Sequence, residues 1–183
     1  MIKVSAVLAG LTMLFNVQTV IAADAPVIVG GVEMPQVESS EAFEQIKKKL
    51  GKWEGQLTQS LTGDVIEVSY EWTLTSGGST IMESVVEDGV SMFTTYSDEE
   101  GELVVKHYCA LGTEPVFTVN EATDRVIALS FDESRSPLMR DSHDFVNSMR
   151  WTLDSSDSNS MVYEYTVNLD GELTTNRAEL KRQ

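Results

Sequence analysis

The stretch that decides the fold is residues 66–74, IEVSYEWTL. Apolar and polar side chains alternate there at every second position, which is the period of an extended strand. The five apolar side chains, Ile66 to Leu74, therefore share one face, and the intervening glutamate, serine and threonine side chains share the other. This pattern predicts a strand with one face against a core and the other in water.

The same period of two continues to the end of the chain. It predicts strands at about 53–60, 64–75, 80–87, 90–96, 102–110, 115–119, 125–132, 143–154, 160–168 and 172–181. Turn residues such as Asp88-Gly89 and Asp170-Gly171 separate them, and no intervening stretch has the length and pattern of a crossover helix. We therefore predict an all-β fold, an antiparallel up-and-down β-barrel of about ten strands, with a β-sandwich as the alternative.

One short amphipathic helix is predicted before the first strand. Phe43, Ile46 and Leu50 recur at spacings of three and four residues, and a serine at position 39 or 40 can cap the N-terminus. Gly51 ends the pattern. We expect this helix to lie across one end of the barrel.

The N-terminus has the layout of a secretory signal peptide. Lys3 precedes an apolar run at residues 4–15, which continues less strictly to residue 23. Asn16 and Gln18 interrupt the run, which disfavours the alternative of a membrane anchor. We predict a signal peptide at residues 1–22 cleaved near Ala22 or Ala23, a flexible lead-in at 23–37, and a barrel domain at 38–183. The mature chain is then expected in the periplasm or outside the cell.

Net charge disfavours several classes of partner, and cysteine content excludes an internal disulfide. The formal net charge of −16 repels nucleic acid and anionic membrane surfaces. Cys109 is the only cysteine in the sequence, so an internal disulfide cannot form. We predict no membrane insertion of the mature chain, and the sequence does not indicate an oligomeric state.

Several short motifs resemble a known group of proteins. In order they are GKWEG at 51–55, SGGS at 76–79, MFTTY at 92–96, HYCALGTEP at 107–115 and HDF at 143–145. Their order is similar to that of a group of uncharacterised bacterial lipocalin-like exported proteins, and the G-x-W at 51–53 resembles the entry motif of lipocalins and other calycins. Where that group carries a second histidine, this sequence has Asp141. The group has no agreed activity to carry over.

The resemblance also implies how one end of the barrel closes. In calycins the tryptophan of the entry motif, here Trp53, packs under a basic residue from the last strand. Arg177, Lys181 and Arg182 are candidates, and Arg177 is the predicted partner because it lies in the middle of the strand. Stacking of a guanidinium on an indole would make this pair structural.

The strand period also predicts which side chains face the interior. His107 and Cys109 share the inward face of one strand, and His143 and Trp151 share that of another. The predicted ligand-binding residues are His107, His143, Tyr70, Trp72, Cys109, Tyr163, Tyr165 and Trp151. Their mixture of aromatic and polar atoms is typical of a site for a mostly apolar small molecule, although each could also be a core residue.

Three functions are compatible with this pattern. The first is binding of a small hydrophobic or amphipathic molecule, and the second is a structural or interaction role in the cell envelope with a barrel filled by side chains. The third is a histidine-dependent isomerase or cyclase in which His107 and His143 meet inside the barrel. No nucleophile, phosphate-binding or metal motif is present, so no catalytic residue, metal or cofactor is predicted.

Overall fold

The computed structural model describes residues 26–35, 38–99 and 101–183, so the predicted signal peptide lies outside it. Two short strands in the predicted lead-in, β1 (Ile28–Val29) and β2 (Val32–Glu33), pair as an antiparallel hairpin. The hairpin and the barrel belong to separate units, and the barrel unit spans Pro35–Gln183. No helix within the described residues is long and apolar enough to cross a membrane.

The predicted helix is confirmed as α1 (Glu41–Lys47). The Ser40 hydroxyl caps it by accepting a hydrogen bond from the backbone N–H of Phe43 at 3.1 Å. Phe43 and Ile46 are fully buried, so the helix presents one apolar face to the barrel. Gly51, at φ +108°, provides the left-handed backbone that turns the chain into the first barrel strand.

Ten antiparallel strands form one closed barrel, which confirms the predicted fold and excludes the sandwich. Each strand pairs with the next along the chain, and the last pairs with the first. The strands are β3 (Gly51–Gln59), β4 (Val65–Thr75), β5 (Thr80–Glu87), β6 (Val90–Glu99), β7 (Glu102–Tyr108), β8 (Val116–Ala122), β9 (Val126–Phe131), β10 (Phe145–Leu153), β11 (Ser160–Leu169) and β12 (Glu172–Arg182).

The two ends of the barrel differ because α1 packs against only one of them. It contacts β6, β7 and β8 at the end where β6 turns into β7. The backbone N–H and the hydroxyl of Ser40 both donate hydrogen bonds to the Asp98 carboxylate, at 2.5 and 2.7 Å, which ties the start of the helix to β6. We call this the closed end. The opposite end, with the β3–β4, β5–β6, β7–β8, β9–β10 and β11–β12 connections, is the open end.

Large aromatic side chains fill the half of the barrel next to the closed end. Five of the largest fully or almost fully buried side chains belong to this group: Trp53, Tyr70, Trp72, Tyr96 and Trp151. The Trp151 ring is stacked on Tyr163 with ring centroids 5.0 Å apart. Side chains of this size can occupy the centre of a wide barrel, so this half is a packed core.

The closed end is sealed by Arg182, so the prediction of Arg177 was wrong. The Arg182 guanidinium lies over the Trp53 ring, 4.3 Å from its centroid, and donates hydrogen bonds to the carbonyls of Leu50 and Lys48. Arg182 is also the strand partner of Trp53. Arg177 lies on the outer face, exposed, where it pairs with acidic side chains of β11 and β12.

We expect Arg182→Ala to lower the free energy of unfolding by about 2–3 kcal/mol. The variant loses the stack on Trp53 and two charge-assisted hydrogen bonds, to the carbonyls of Lys48 and Leu50 just after α1. Arg177→Ala is the matched control and is expected to change stability by less than about 0.5 kcal/mol, because its ion pairs are exposed. Urea unfolding of both variants measures the difference, and equal effects would contradict the assignment of Arg182 as the closing residue.

Candidate functional site

A cavity of about 400 Å³ occupies the barrel interior at the open end. The packed aromatic half forms its floor, and Tyr163 belongs to both. Most of its wall is apolar, with contributions from Ile66, Val85, Met92, Val146, Val167 and Leu169. A cavity of this size, with mostly apolar walls, is the ordinary form of a small-molecule site.

Glu87 is the charged group inside this cavity. It lies at the end of β5, and its two carboxylate oxygens accept separate hydrogen bonds, from the Tyr70 hydroxyl at 2.7 Å and from the Tyr165 hydroxyl at 2.9 Å. Burial raises the pKa of Glu87, although both tyrosine hydrogen bonds oppose the rise. The described cavity wall contains no lysine or arginine, so Glu87 has no cationic partner there.

His107 lies on the cavity wall as a neutral imidazole. Burial lowers its pKa to about 4, because the positive form is poorly solvated in the interior. Its Nδ1 shares a hydrogen bond of 2.9 Å with the Thr94 hydroxyl, which fixes the ring orientation. His107 can therefore contribute a hydrogen bond to a bound molecule near neutral pH, and it contributes no charge.

Cys109 and Asn176 also line the cavity. The Cys109 thiol is half-buried, and burial raises its pKa, which disfavours the reactive thiolate. Asn176 is 8% exposed and lines the cavity from β12. Within residues 26–35, 38–99 and 101–183, no three His, Cys, Asp or Glu side chains converge as metal ligands.

A row of polar side chains runs from the cavity into the packed half. Glu83, Thr94 and His107 are direct partners across β5, β6 and β7. Glu83 is fully buried and accepts a hydrogen bond from the Tyr96 hydroxyl at 2.5 Å. Burial raises its pKa to about 7; the hydrogen bond from Tyr96 opposes that rise, and the positive charge of buried Lys49 opposes it more weakly. Burial in turn lowers the pKa of Lys49 to about 8.

The structure brings part of the predicted site together. His107, Cys109, Tyr163 and Tyr165 line the cavity, and Tyr70 reaches it through its hydrogen bond to Glu87. Their contact with a ligand stays a prediction. Trp72 and Trp151 face inward as predicted, but both are packed in the closed half and do not line the cavity.

The predicted inward position of His143 was wrong. His143 lies in the β9–β10 connection, before β10 begins at Phe145, and its Nδ1 accepts a hydrogen bond from the backbone N–H of Met139 at 3.1 Å. A register shift between Val146 and Ser148 places an extra residue in β10. Such a bulge reverses which alternate residues face inward, so Val146 faces the cavity. Counting back in steps of two from inward-facing Trp151 therefore no longer gives the side on which His143 lies.

Glu87 and Asn176 are two of the polar cavity residues that were not predicted from the sequence. Both carry a detectable signal, because Glu87 continues the alternation of Ile81 and Val85, and Asn176 precedes Ala178 and Leu180 at the same spacing. Most glutamates are solvated, so residue type alone favours an exposed position for Glu87. The inward parity of β5 therefore outweighs the general tendency of glutamate to face water.

We expect Glu83→Gln to change how stability depends on pH between pH 5 and 7. The folded-state pKa of about 7 lies above the ordinary value of 4.5, so the folded protein holds this proton more tightly than the unfolded chain. The stability of the wild-type protein relative to the variant should therefore fall as pH rises through this window, by about 1–3 kcal/mol.

Chemical unfolding at several pH values measures this difference. Glu71→Gln removes an exposed carboxylate from the strand next to Glu83, and its stability curve is expected to run parallel to that of the wild-type protein. Parallel curves for the wild-type protein and Glu83→Gln would contradict the burial of an ionisable Glu83. The comparison with Glu83→Gln cancels the opposing contribution of His107, which is present in both proteins.

Comparisons with known proteins support the fold and give no information on the chemistry of the site. No protein-family model and no curated protein sequence match this chain significantly. Among solved structures, it is similar to the crystal structure of a protein of unknown function from the DUF3598 family of Nostoc punctiforme PCC 73102, with 16% identity and a TM-score of 0.55. The match covers 75% of this chain and 49% of that one, so this chain spans about half its length. At this identity the likeness shows the fold alone.

Proposed function

We propose that this protein binds a small apolar or amphipathic molecule in the open-end cavity. The observation that carries the proposal is the cavity itself, about 400 Å³ of space bounded mostly by apolar side chains. Typical pockets for small molecules have volumes of about 300–1,000 Å³ and a few fixed polar groups. Glu87, His107 and Asn176 are such groups.

The division of the barrel supports the same function. The aromatic half forms a rigid floor, and the hydrogen bonds of Tyr70 and Tyr165 to Glu87 hold the polar end of the cavity in place before any ligand arrives. Preorganised groups reduce the entropy lost on binding. The signal-like segment at residues 1–22 and the calycin-like closure by Trp53 further support a lipocalin-like binder in the periplasm or outside the cell.

The two other functions have less support. A filled barrel describes only the closed half, although the exposed apolar side chains of Ile28, Val29 and Val32 on the hairpin favour an interaction role for that segment. The isomerase or cyclase hypothesis required His107 and His143 to share the interior. His143 lies outside the cavity, so the two histidines do not form the pair that this hypothesis needs.

The test is titration with the neutral fluorescent probe N-phenylnaphthylamine, whose emission rises in apolar surroundings. We expect saturable binding of about one probe per chain, because the cavity accommodates one small molecule. Val167→Trp, which fills the cavity from β11, should abolish the rise. Val104→Trp is the matched control, because Val104 alternates with the buried Leu103 and Val105 and therefore points outward from β7.

The single cysteine provides a measurement that does not depend on a large substitution. Cys109 lines the cavity, so bound probe should slow its alkylation by iodoacetamide in the folded wild-type protein. A folded protein that shows neither saturable emission nor protection of Cys109 would overturn the proposed function. Circular dichroism of each variant confirms that the barrel is retained.

A further inference from the structure

The carboxylate of Glu87 faces a mostly apolar cavity whose described wall contains no lysine or arginine. Burial of a carboxylate is destabilising unless an opposite charge or several hydrogen bonds replace the lost water. Two tyrosine hydroxyls supply part of this replacement, one to each oxygen. Each carboxylate oxygen can accept more than one hydrogen bond, so Glu87 retains acceptor capacity.

The tyrosine hydrogen bonds favour the ionised form of Glu87. A phenolic O–H donates to each oxygen, and an ionised carboxylate accepts at both oxygens. Both tyrosines are buried, so the two donors are held in fixed positions. The carboxylate is therefore oriented and ready to accept a further donor.

The second inward glutamate of β5 shows how the fold otherwise handles such a charge. Glu83 lies deeper than Glu87 on the same strand face; it accepts a hydrogen bond from the Tyr96 hydroxyl, and the positive charge of buried Lys49 acts on it more weakly. No lysine or arginine among the described residues does the same within the cavity that contains Glu87. The described cavity wall offers Glu87 no positive charge, so a cation that pairs with it there has to belong to a bound molecule.

The remaining charges around the cavity disfavour an anionic ligand. Asp88 lies beside Glu87 at the rim and is exposed, and His107 is neutral above a pH of about 4. The protein as a whole carries a formal net charge of −16. A fatty acid or another carboxylate would meet like charge at both the rim and the wall.

We propose that the cavity selects a molecule with an apolar body and a protonated amine, whose nitrogen donates hydrogen bonds to Glu87. The body of the ligand lies against Val85, Met92, Val146 and Val167. The ammonium donates further hydrogen bonds to the carboxylate and supplies the positive charge that the cavity wall lacks. This inference rests on the proposed binding function and specifies its ligand class.

The experiment compares three probes with the same apolar chain, decylamine, decanol and decanoate, below their micellar concentrations. Each displaces N-phenylnaphthylamine from the wild-type protein at pH 7, which yields three dissociation constants. We expect decylamine to bind about tenfold more tightly than decanol, and decanoate to bind most weakly, because a buried charge-assisted hydrogen bond strengthens one and like charge weakens the other.

Two variants that remove the same formal charge locate the effect. Glu87→Gln should weaken decylamine binding by about tenfold or more and change decanol binding by less than about threefold. Asp88→Asn is the matched control, and its effect on decylamine is expected to stay below about threefold, because an exposed charge is screened by water and salt. Asparagine also tolerates the positive φ of +47° at this position.

The pH dependence provides a readout in the wild-type protein alone. Decylamine should bind more weakly as pH falls through the raised pKa of Glu87, because protonation removes the negative charge. Decanol should show no such loss. The other groups near this carboxylate whose pKa is shifted are Glu83, Tyr70, Tyr163, Tyr165, His107 and Cys109. Of these, Glu83 alone titrates near neutral pH, and Glu87→Gln retains it, so comparison with that variant isolates Glu87.

The outcomes separate this inference from the proposed function. If the fluorescent probe binds but decanol or decanoate competes as well as decylamine, the cavity is a binding site and the selection of amines is wrong. An equal loss in Asp88→Asn and Glu87→Gln would likewise overturn the role of Glu87. If the fluorescent probe does not bind to the folded protein, both proposals fail.

Discussion

The pairing of β12 with β3 closes the sheet, and the rest of the interior depends on it. Seven residue pairs join the two strands, from Asn176 with Gln59 to Arg182 with Trp53. At Gly55 the backbones approach so closely that an added Cβ atom would lie 1.9 Å from the carbonyl oxygen of Glu179. Only glycine permits that approach. This pairing also brings Arg182 over Trp53. The β12–β3 contact therefore both closes the sheet and seals one end of the barrel.

Closure creates an interior that small side chains alone would not fill. The diameter of a barrel grows with strand number, and about eight strands already enclose a space that side chains fill or that holds one small ligand. This protein has ten strands and fills only half of the interior, with stacked aromatic rings. The aromatic rings form the floor of the cavity, and the cavity lies at the end of the barrel opposite α1. The asymmetry of the ends therefore determines where a ligand could bind.

The alternation of side chains predicted the strands and many of the inward positions, and its failures have physical causes. The alternation predicts which face of a strand a side chain lies on, but not its position along the barrel axis. It therefore grouped Trp72 and Trp151, which are packed in the closed half, with His107, which lines the cavity. Parity also fails across a bulge, which is why His143 was misplaced. Arg182 could have been found, since it continues the inward spacing of Ala178 and Leu180, whereas its position opposite Trp53 depends on strand register.

The two inward glutamates of β5 connect the fold to its chemistry. Both occupy positions where the strand period calls for an apolar side chain, and burial raises the pKa of both. Within the packed half, Glu83 accepts a hydrogen bond from the Tyr96 hydroxyl, and the positive charge of buried Lys49 acts on it more weakly. Glu87 lies where the packing ends, and its oxygens are held by two tyrosines facing open volume. A fold stabilised mainly by apolar burial loses stability through such a residue, and in the proposed complex with an amine the ligand would offset that loss.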